Sequence, residues 1–309
     1  MSRNGKTRTW AEYLVARTIF GLLAAMPRRA AVGLGIGVGR IGFRLLGRLR
    51  RVALRNLAIA YPEMSDAERQ RVARGTFENL GRVLGEMSQL RGASREQIAG
   101  IMDFELSRET AELYRRVKQE GRGVLITTGH LGNWELLVLG FAAIYEPISY
   151  LARPIDNLLV EEMALEIRTQ FGNLPINKTN SALTAINILR RGGILGVLAD
   201  VNAHPKEGVF VPFFGVQACT TNGPAMMAIR ANALILPAFC VWDRDRRRYK
   251  FVHGPVIEPA NTGDRKSDIV ATTAAYTAEI EKIIREHPEQ WMWIHKRWKT
   301  RPPGDPSIY

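Results

Sequence analysis

Only two cysteines, Cys219 and Cys240, occur in 309 residues, and they form neither a CxxC pair nor a metal-ligand spacing. A disulfide framework is therefore excluded, and a reducing, cytoplasmic-side environment fits the pair best as small apolar core residues. No HExxH is present, and His130 has no second histidine near it, so zinc chemistry has no support and no metal or tightly bound cofactor is expected. No apolar stretch reaches the roughly 18–20 uncharged residues of a clear membrane span. No internal repeat and no low-complexity linker divides the chain. What remains is a 46% hydrophobic sequence, which excludes wholesale disorder and is long enough for a large α/β domain with its own core.

Acid is scarce at one end. Residues 1–60 contain twelve Lys or Arg against one acid, Glu12, a surplus of 11 in a chain whose total net charge is +13. A basic arm of this kind seeks a polyanion, either nucleic acid or the anionic face of a membrane. Over residues 10–27, read as a helix, Val15, Ile19, Leu22 and Met26 share one side and Arg17 and Arg28 the other, the pattern of a helix lying in a membrane interface. A second, glycine-rich apolar stretch follows from Ala30 to Val38. The basic residues lack the aromatic interleaving of RNA-binding surfaces, so no nucleic-acid partner is expected. Residues 1–60 are thus read as a basic membrane-associating segment, and residues 61–309 as the remaining α/β domain.

Ser65-Asp-Ala-Glu68 is a capping box opening a long helix to Leu90, and a further helix should span Arg108 to Lys118 and stop at Gly121. Short β-branched runs then alternate with helical windows. Strands are expected at Val124–Thr128, Ile148–Ala152, Ile194–Ala199, Val209–Phe214, Ala233–Phe239 and Tyr249–Ile257, and a last helix at Ser267–Glu286. That order implies a mixed, largely parallel sheet covered by helices.

The most informative stretch is Gly123 to Leu137. A buried strand ends at Thr128, Gly129 permits a sharp exit, and a helix begins near Asn133 or Trp134. His130 therefore stands at the carboxyl end of a strand, where open α/β sheets place ligand sites. Glu135 in the first helical turn is within reach of a loop histidine folded back onto it. A carboxylate on one ring nitrogen fixes the tautomer and stabilises the imidazolium, leaving the other nitrogen to take a proton from an attacking hydroxyl. Backbone N–H groups of Gly132 and Asn133 are the expected oxyanion donors. His204, His253, His287 and His295 read as surface, capping or packed histidines.

At this point the sequence resembles the bacterial lipid A biosynthesis acyltransferases, the late lauroyl and myristoyl transferases of the lysophospholipid acyltransferase superfamily. Gly129-His130 to Glu135 matches that family's catalytic motif. Arg51-Val-Ala-Leu-Arg-Asn56 and Tyr61-Pro-Glu resemble its N-terminal pattern, and Arg153-Pro154 its second block. Asp200, Gly208 to Gly215 and Thr220 to Ala225 resemble its third, and His287 to Trp298 its C-terminal signature. The chain departs from the pattern at Val201 and Asn202, where the family often has a glutamine and a further acid, a difference that bears on the acceptor rather than the reaction.

The resemblance implies His130 as general base, oriented by Glu135, in O-acyl transfer from an acyl carrier protein thioester to a hydroxyl of a lipid A precursor. It implies Arg153, Asp200, Phe213, Phe214, Gly215, Thr221 and Arg297 as substrate-binding residues. It also implies a place at the cytoplasmic face of the inner membrane, with acyl carrier protein, a glycolipid acceptor and the anionic membrane surface as partners. The same chemistry on another glycolipid, lysophospholipid or aminolipid stays open at this stage, as do a coenzyme A donor, a lipid hydrolase and a non-catalytic membrane-binding protein.

Overall fold

The computed structural model describes residues 3–177 and 182–309; within the first helix, side chains are described from Thr9 onward, so the expected basic residues Arg3, Lys6 and Arg8 lie outside the described side chains. The chain opens with three helices, α1 (Arg3–Ala24), α2 (Arg28–Leu45) and α3 (Gly47–Ala60), followed by the long α4 (Asp66–Leu90). The Ser65–Glu68 capping box closes as the sequence requires, Ser65 Oγ accepting from the Glu68 N–H and Glu68 accepting from the Ser65 N–H. There follow α5 (Arg95–Ile101), β1 (Met102–Asp103), α6 (Arg108–Gln119), β2 (Val124–Thr128), α7 (Trp134–Ile144), β3 (Ser149–Ala152), α8 (Leu158–Thr169) and β4 (Leu174–Asn177). After these come α9 (Ala182–Arg190), β5 (Ile194–Leu198), β6 (Gly208–Phe213), β7 (Val216–Thr221), α10 (Gly223–Ala231), β8 (Leu234–Asp243), β9 (Arg248–His253) and α11 (Arg265–Glu286).

Seven strands form one sheet in the order β1-β9-β8-β2-β5-β3-β4. The pairs β8·β2, β2·β5, β5·β3 and β3·β4 are parallel, and β9 runs antiparallel to β8, so the sheet is mixed and largely parallel. Because successive side chains point to opposite faces, the continuous apolar runs of β2, β5 and β8 serve two cores at once. Val124, Ile126, Ile194, Leu234 and Leu236 pack under α5 to α8, while Leu125, Leu195, Val197 and Ile235 pack under α3, α9, α10 and α11.

Three strands escaped the sequence reading. β1 has only two residues, β4 is a four-residue edge strand carrying a proline, and β7 pairs with β6 in a separate hairpin. Its loop is Phe214-Gly215, both at positive φ (51° and 72°), the conformation of a tight two-residue turn whose twist matches its strands.

The glycine-rich stretch of α2 is a helix–helix interface. A side-chain carbon on Gly81 of α4 would stand 2.0 Å from the Gly35 carbonyl oxygen, and one on Gly35 would stand 2.2 Å from that of Gly81. The two backbones touch, which only glycine allows. Among the described residues no single helix is long and apolar enough to cross a membrane, and α2 and α3 meet at 88°. The apolar side of α1 points outward: Val15, Ile19 and Leu22 are exposed, as are Leu34, Val38, Ile41 and Leu45 of α2. Cys219 and Cys240 are free and fully buried, and burial pushes both thiols up from their ordinary value, the environment of small apolar core residues.

Candidate active site

Register brings the reactive groups together. Thr128 of β2 is paired with Leu198 of the neighbouring parallel strand β5. Two residues further along each chain stand His130 and Asp200, side by side at the carboxyl edge of the sheet. His130 Nδ1 lies 2.9 Å from Asp200 Oδ1, the His130 backbone N–H donates to Asp200 Oδ2 at 2.7 Å, and the Trp291 indole N–H donates to the same oxygen at 2.8 Å. Gly129 makes this approach possible, since a side-chain carbon there would meet the Asp200 carboxylate at 3.1 Å.

The electrostatics follow from this geometry. Burial of Asp200 would raise its pKa, but the imidazole and two further donors, the His130 and Trp291 N–H groups, overcome that and hold it at about 2. Asp200 is therefore a carboxylate, and His130 Nδ1 must carry the proton that bonds it. For His130, burial works against the charged form, yet the Asp200 charge and hydrogen bond, with a smaller push from Glu135, raise its pKa above the ordinary histidine value. Nε2 is left as the free basic nitrogen, on a ring packed edge-on against Trp134.

Glu135 is thus not the partner expected for His130. Both of its oxygens are taken by Arg168 of α8, whose Nε and Nη2 donate at 2.8 and 2.5 Å. Glu135 sits in the first helical turn of α7, which turns its carboxylate toward α8 rather than back over the loop. The pair lines the same cavity as His130, so Glu135 acts on the imidazole through space while Asp200 holds it.

The expected oxyanion donors are also engaged elsewhere. The Gly132 N–H donates to Gln290 O at 3.1 Å and the Asn133 N–H to Cys240 O at 2.7 Å. Gly132, at φ 61°, lies so close to β8 that a side-chain carbon would fall 2.0 Å from the Cys240 carbonyl. Asn133 instead caps α7, its side-chain oxygen accepting from the Leu136 N–H at 3.0 Å. The N–H groups of Trp134 and Glu135 stay in the first turn, where no intrahelical acceptor exists.

His130 and Glu135 open onto an apolar cavity of about 340 Å³ floored by Ile126, Leu137, Ile148, Tyr150, Gly196 and Leu198. Arg153 stands at its rim, exposed and paired with the exposed Asp156 at 2.8 Å. The other residues expected to bind substrate are not on this wall. Phe213 and Phe214 pack into a buried aromatic cluster with Tyr61, Trp291, Trp293 and Trp298, and Gly215 completes the hairpin turn. Thr221 offers its carbonyl to Tyr276 on α11. Arg297 is fully buried, donates to Cys219 O and Thr220 Oγ1, and lies over the Phe213 ring, so it ties the hairpin to the C-terminal segment. The departure at Asn202 serves the same tie: its N–H donates to His295 Nε2 at 3.0 Å, and its side chain bonds Thr300.

Sequence reading missed Trp291 and Arg168 as members of the site and gave Asp200 another role. Nothing local to Asp200 marks it as the histidine's partner, because the contact exists only once β2 and β5 are neighbours.

A histidine–carboxylate pair at the carboxyl edge of a parallel sheet, opening on an apolar cavity with no serine or cysteine among the described residues of its wall, is the arrangement of a base that takes a proton directly from a substrate hydroxyl or from water. The comparisons with known proteins narrow it. The family model described as bacterial lipid A biosynthesis acyltransferase matches residues 3–300. The lipid A biosynthesis lauroyltransferase of Escherichia coli K12 is 30% identical over 313 residues, covering 98% of this chain and 95% of that one. The palmitoleoyltransferase of the same organism is 28% identical (94% and 92% covered), and the myristoyltransferase 22% identical (98% and 91% covered). The chain belongs to the bacterial lipid A biosynthesis acyltransferase family, and it is an acyltransferase of lipid A biosynthesis.

Proposed function

We propose that this enzyme transfers a fatty acyl chain from an acyl carrier protein thioester to a hydroxyl of a lipid A precursor, with His130 as general base and Asp200 as the residue that orients it. The observation that carries this reading is the buried Nδ1–Asp200 hydrogen bond, which leaves Nε2 basic at the mouth of the apolar cavity. The acyl chain lies in that cavity with its thioester at the mouth. The acceptor hydroxyl oxygen attacks the thioester carbonyl carbon as its proton passes to Nε2. The tetrahedral intermediate collapses, the carbon–sulfur bond breaks, and the leaving thiolate takes the proton back from the imidazolium. The products are an ester and a thiol, and His130 is neutral again. The first-turn N–H groups of Trp134 and Glu135, at the positive end of α7, are the donors that fit the developing oxyanion. Arg153, exposed at the rim and paired only with the exposed Asp156, meets an anionic group of a substrate.

The exposed apolar sides of α1 and α2, flanked by basic residues, rest the enzyme on the cytoplasmic face of the inner membrane. Residues 1–60 serve as that membrane-associating segment, and the acidic carrier protein is a transient partner. In the deciding experiment, purified enzyme and its His130→Ala variant receive acyl carrier protein thioesters and a tetra-acylated lipid A precursor. The mass of the product lipid is then read. A gain of one acyl chain that the variant abolishes is expected. No gain with the unaltered enzyme overturns the assignment of donor and acceptor.

A further inference from the structure

A second cavity lies on the other flank of the catalytic loop. Its volume is about 350 Å³, and it is walled by α2, α4 and the turn between β8 and β9. Five arginines face it: Arg28 and Arg29 from α2, Arg82 from α4, and Arg244 and Arg247 from the turn. Glu86 is the one carboxylate in this wall, and Arg28 already matches it with two hydrogen bonds of 2.8 and 2.7 Å. Among the described residues, Arg29, Arg82, Arg244 and Arg247 have no carboxylate ion pair. Nearby Glu78 is shared by Arg40 and Arg74.

Arg82 is the most telling of these. It is half-buried, its guanidinium lies 4.2 Å from the centre of the Trp242 ring, and burial depresses its pKa. A cation held partly away from water, with an aromatic face on one side and no carboxylate within ion-pair distance, is poised for an anion. Arg247 adopts a left-handed φ of 53°, a conformation that asparagine or glycine would take more cheaply. The cavity continues through Ile36, Arg82 and Arg244 into a mixed groove of about 1010 Å³, where Phe43 and Met64 stand beside Arg40, Arg71, Arg74 and Glu78.

The cavity shares a partition with the active site. Asn79, one helical turn before Arg82, donates to both Gly132 O and Gln290 O, and the Gln290 side chain bonds the backbone of Trp242. We infer that this arginine cavity is a binding site for the phosphate of a phosphorylated lipid head group, separate from the acyl cavity. The guanidinium forks take the phosphate oxygens. The site requires no particular donor or acceptor hydroxyl for His130.

The test uses the full chain and measures cosedimentation with phosphatidylcholine vesicles containing phosphatidic acid. Vesicles brought to the same surface potential with phosphatidylserine serve as the comparison. Arg244→Gln with Arg247→Gln changes only exposed turn residues. The charge-matched control is Arg108→Gln with Arg265→Gln. Arg108 follows Ser107, which meets His253 at the other end of β9, and both control positions are exposed.

We expect the enzyme to prefer phosphatidic acid, the turn variant to lose about tenfold in that affinity, and the control to keep it, each arginine–phosphate fork contributing about tenfold or less. His130→Ala, inactive in transfer, should bind like the unaltered enzyme, so failure of the mechanism and failure of this site are distinguishable. Equal binding to both vesicle types, or equal losses in turn variant and control, overturns the site as mere surface charge. Thermal stabilisation by inorganic phosphate that the turn variant loses, without any preference for phosphatidic acid, assigns the site to free phosphate and overturns the lipid.

Discussion

Asp200→Asn tests the mechanism with almost no change of shape. In the native enzyme Asp200 Oδ2 accepts from two fixed donors, the His130 backbone N–H and the Trp291 indole N–H, while Oδ1 accepts from Nδ1. An asparagine has one oxygen to offer, and the two fixed donors anchor it on their side. Its NH2 group then faces His130 Nδ1. Two donors cannot share that contact, so the imidazole moves its proton to Nε2 and the base is lost. Loss of the correct tautomer and of the charge that stabilises the imidazolium costs a triad-type site about 10⁴-fold in kcat, or roughly 5 kcal/mol of transition-state stabilisation. We expect kcat for acyl transfer to fall by about 10³–10⁴-fold, with KM for the acyl donor little changed, because the cavity is untouched. The assay is initial-rate transfer followed by mass spectrometry, with circular dichroism to establish the fold. A variant that keeps a tenth of the native rate refutes the assignment of Asp200 as the orienting group.

The acid limb of the kcat/KM profile should fall with a midpoint above the ordinary histidine value of about 6.5, because the Asp200 charge raises the His130 pKa and only the neutral ring accepts a proton. In Asp200→Asn that support is gone and burial is opposed only by the smaller push of Glu135, so the residual activity should show its midpoint shifted to lower pH. Glu135→Gln leaves Arg168 without its counter-charge in a mostly buried place; thermal denaturation should show a loss of about 1–3 kcal/mol, the partly exposed pair being worth less than a fully buried one. Gly81→Val forces a branched side chain into the Gly35 backbone, and calorimetry should record a lowered Tm equivalent to at least about 1–3 kcal/mol. Gly196→Val fills the acyl cavity between Ile148 and Tyr150, where the first side-chain carbon alone would stand at 3.4 and 3.5 Å from them. Competition between carrier proteins loaded with chains of different length should then favour shorter chains than the native enzyme takes.

Much of this protein was legible in its sequence because the causes are local. The Ser65 capping box, the uninterrupted apolar runs of β2, β5 and β8, and the glycine before His130 act through nearest neighbours in the chain, so strand ends, helix starts and the reactive histidine could be placed from residue pattern alone. The motif blocks in order were enough to indicate the family. What stayed hidden depends on residues far apart in sequence becoming neighbours. Glu135 is five residues from His130 and Asp200 is seventy, yet the parallel register of β2 with β5 sets Asp200 against the imidazole, while the first turn of α7 directs Glu135 to Arg168.

The same limit applies to Gly132 and Asn133, whose N–H groups look available until Gln290 and β8 close on them, and to Phe213 and Phe214, which become core only when the C-terminal tryptophans fold over the hairpin. The arginine cavity is assembled from three elements, its wall running from Arg28 of α2 through Arg82 of α4 to Arg247 of the β8–β9 turn. Periodicity and capping are short-range and are written in the sequence itself. The identity of a partner across the sheet is decided by strand order, and strand order is settled by the packing of the whole chain.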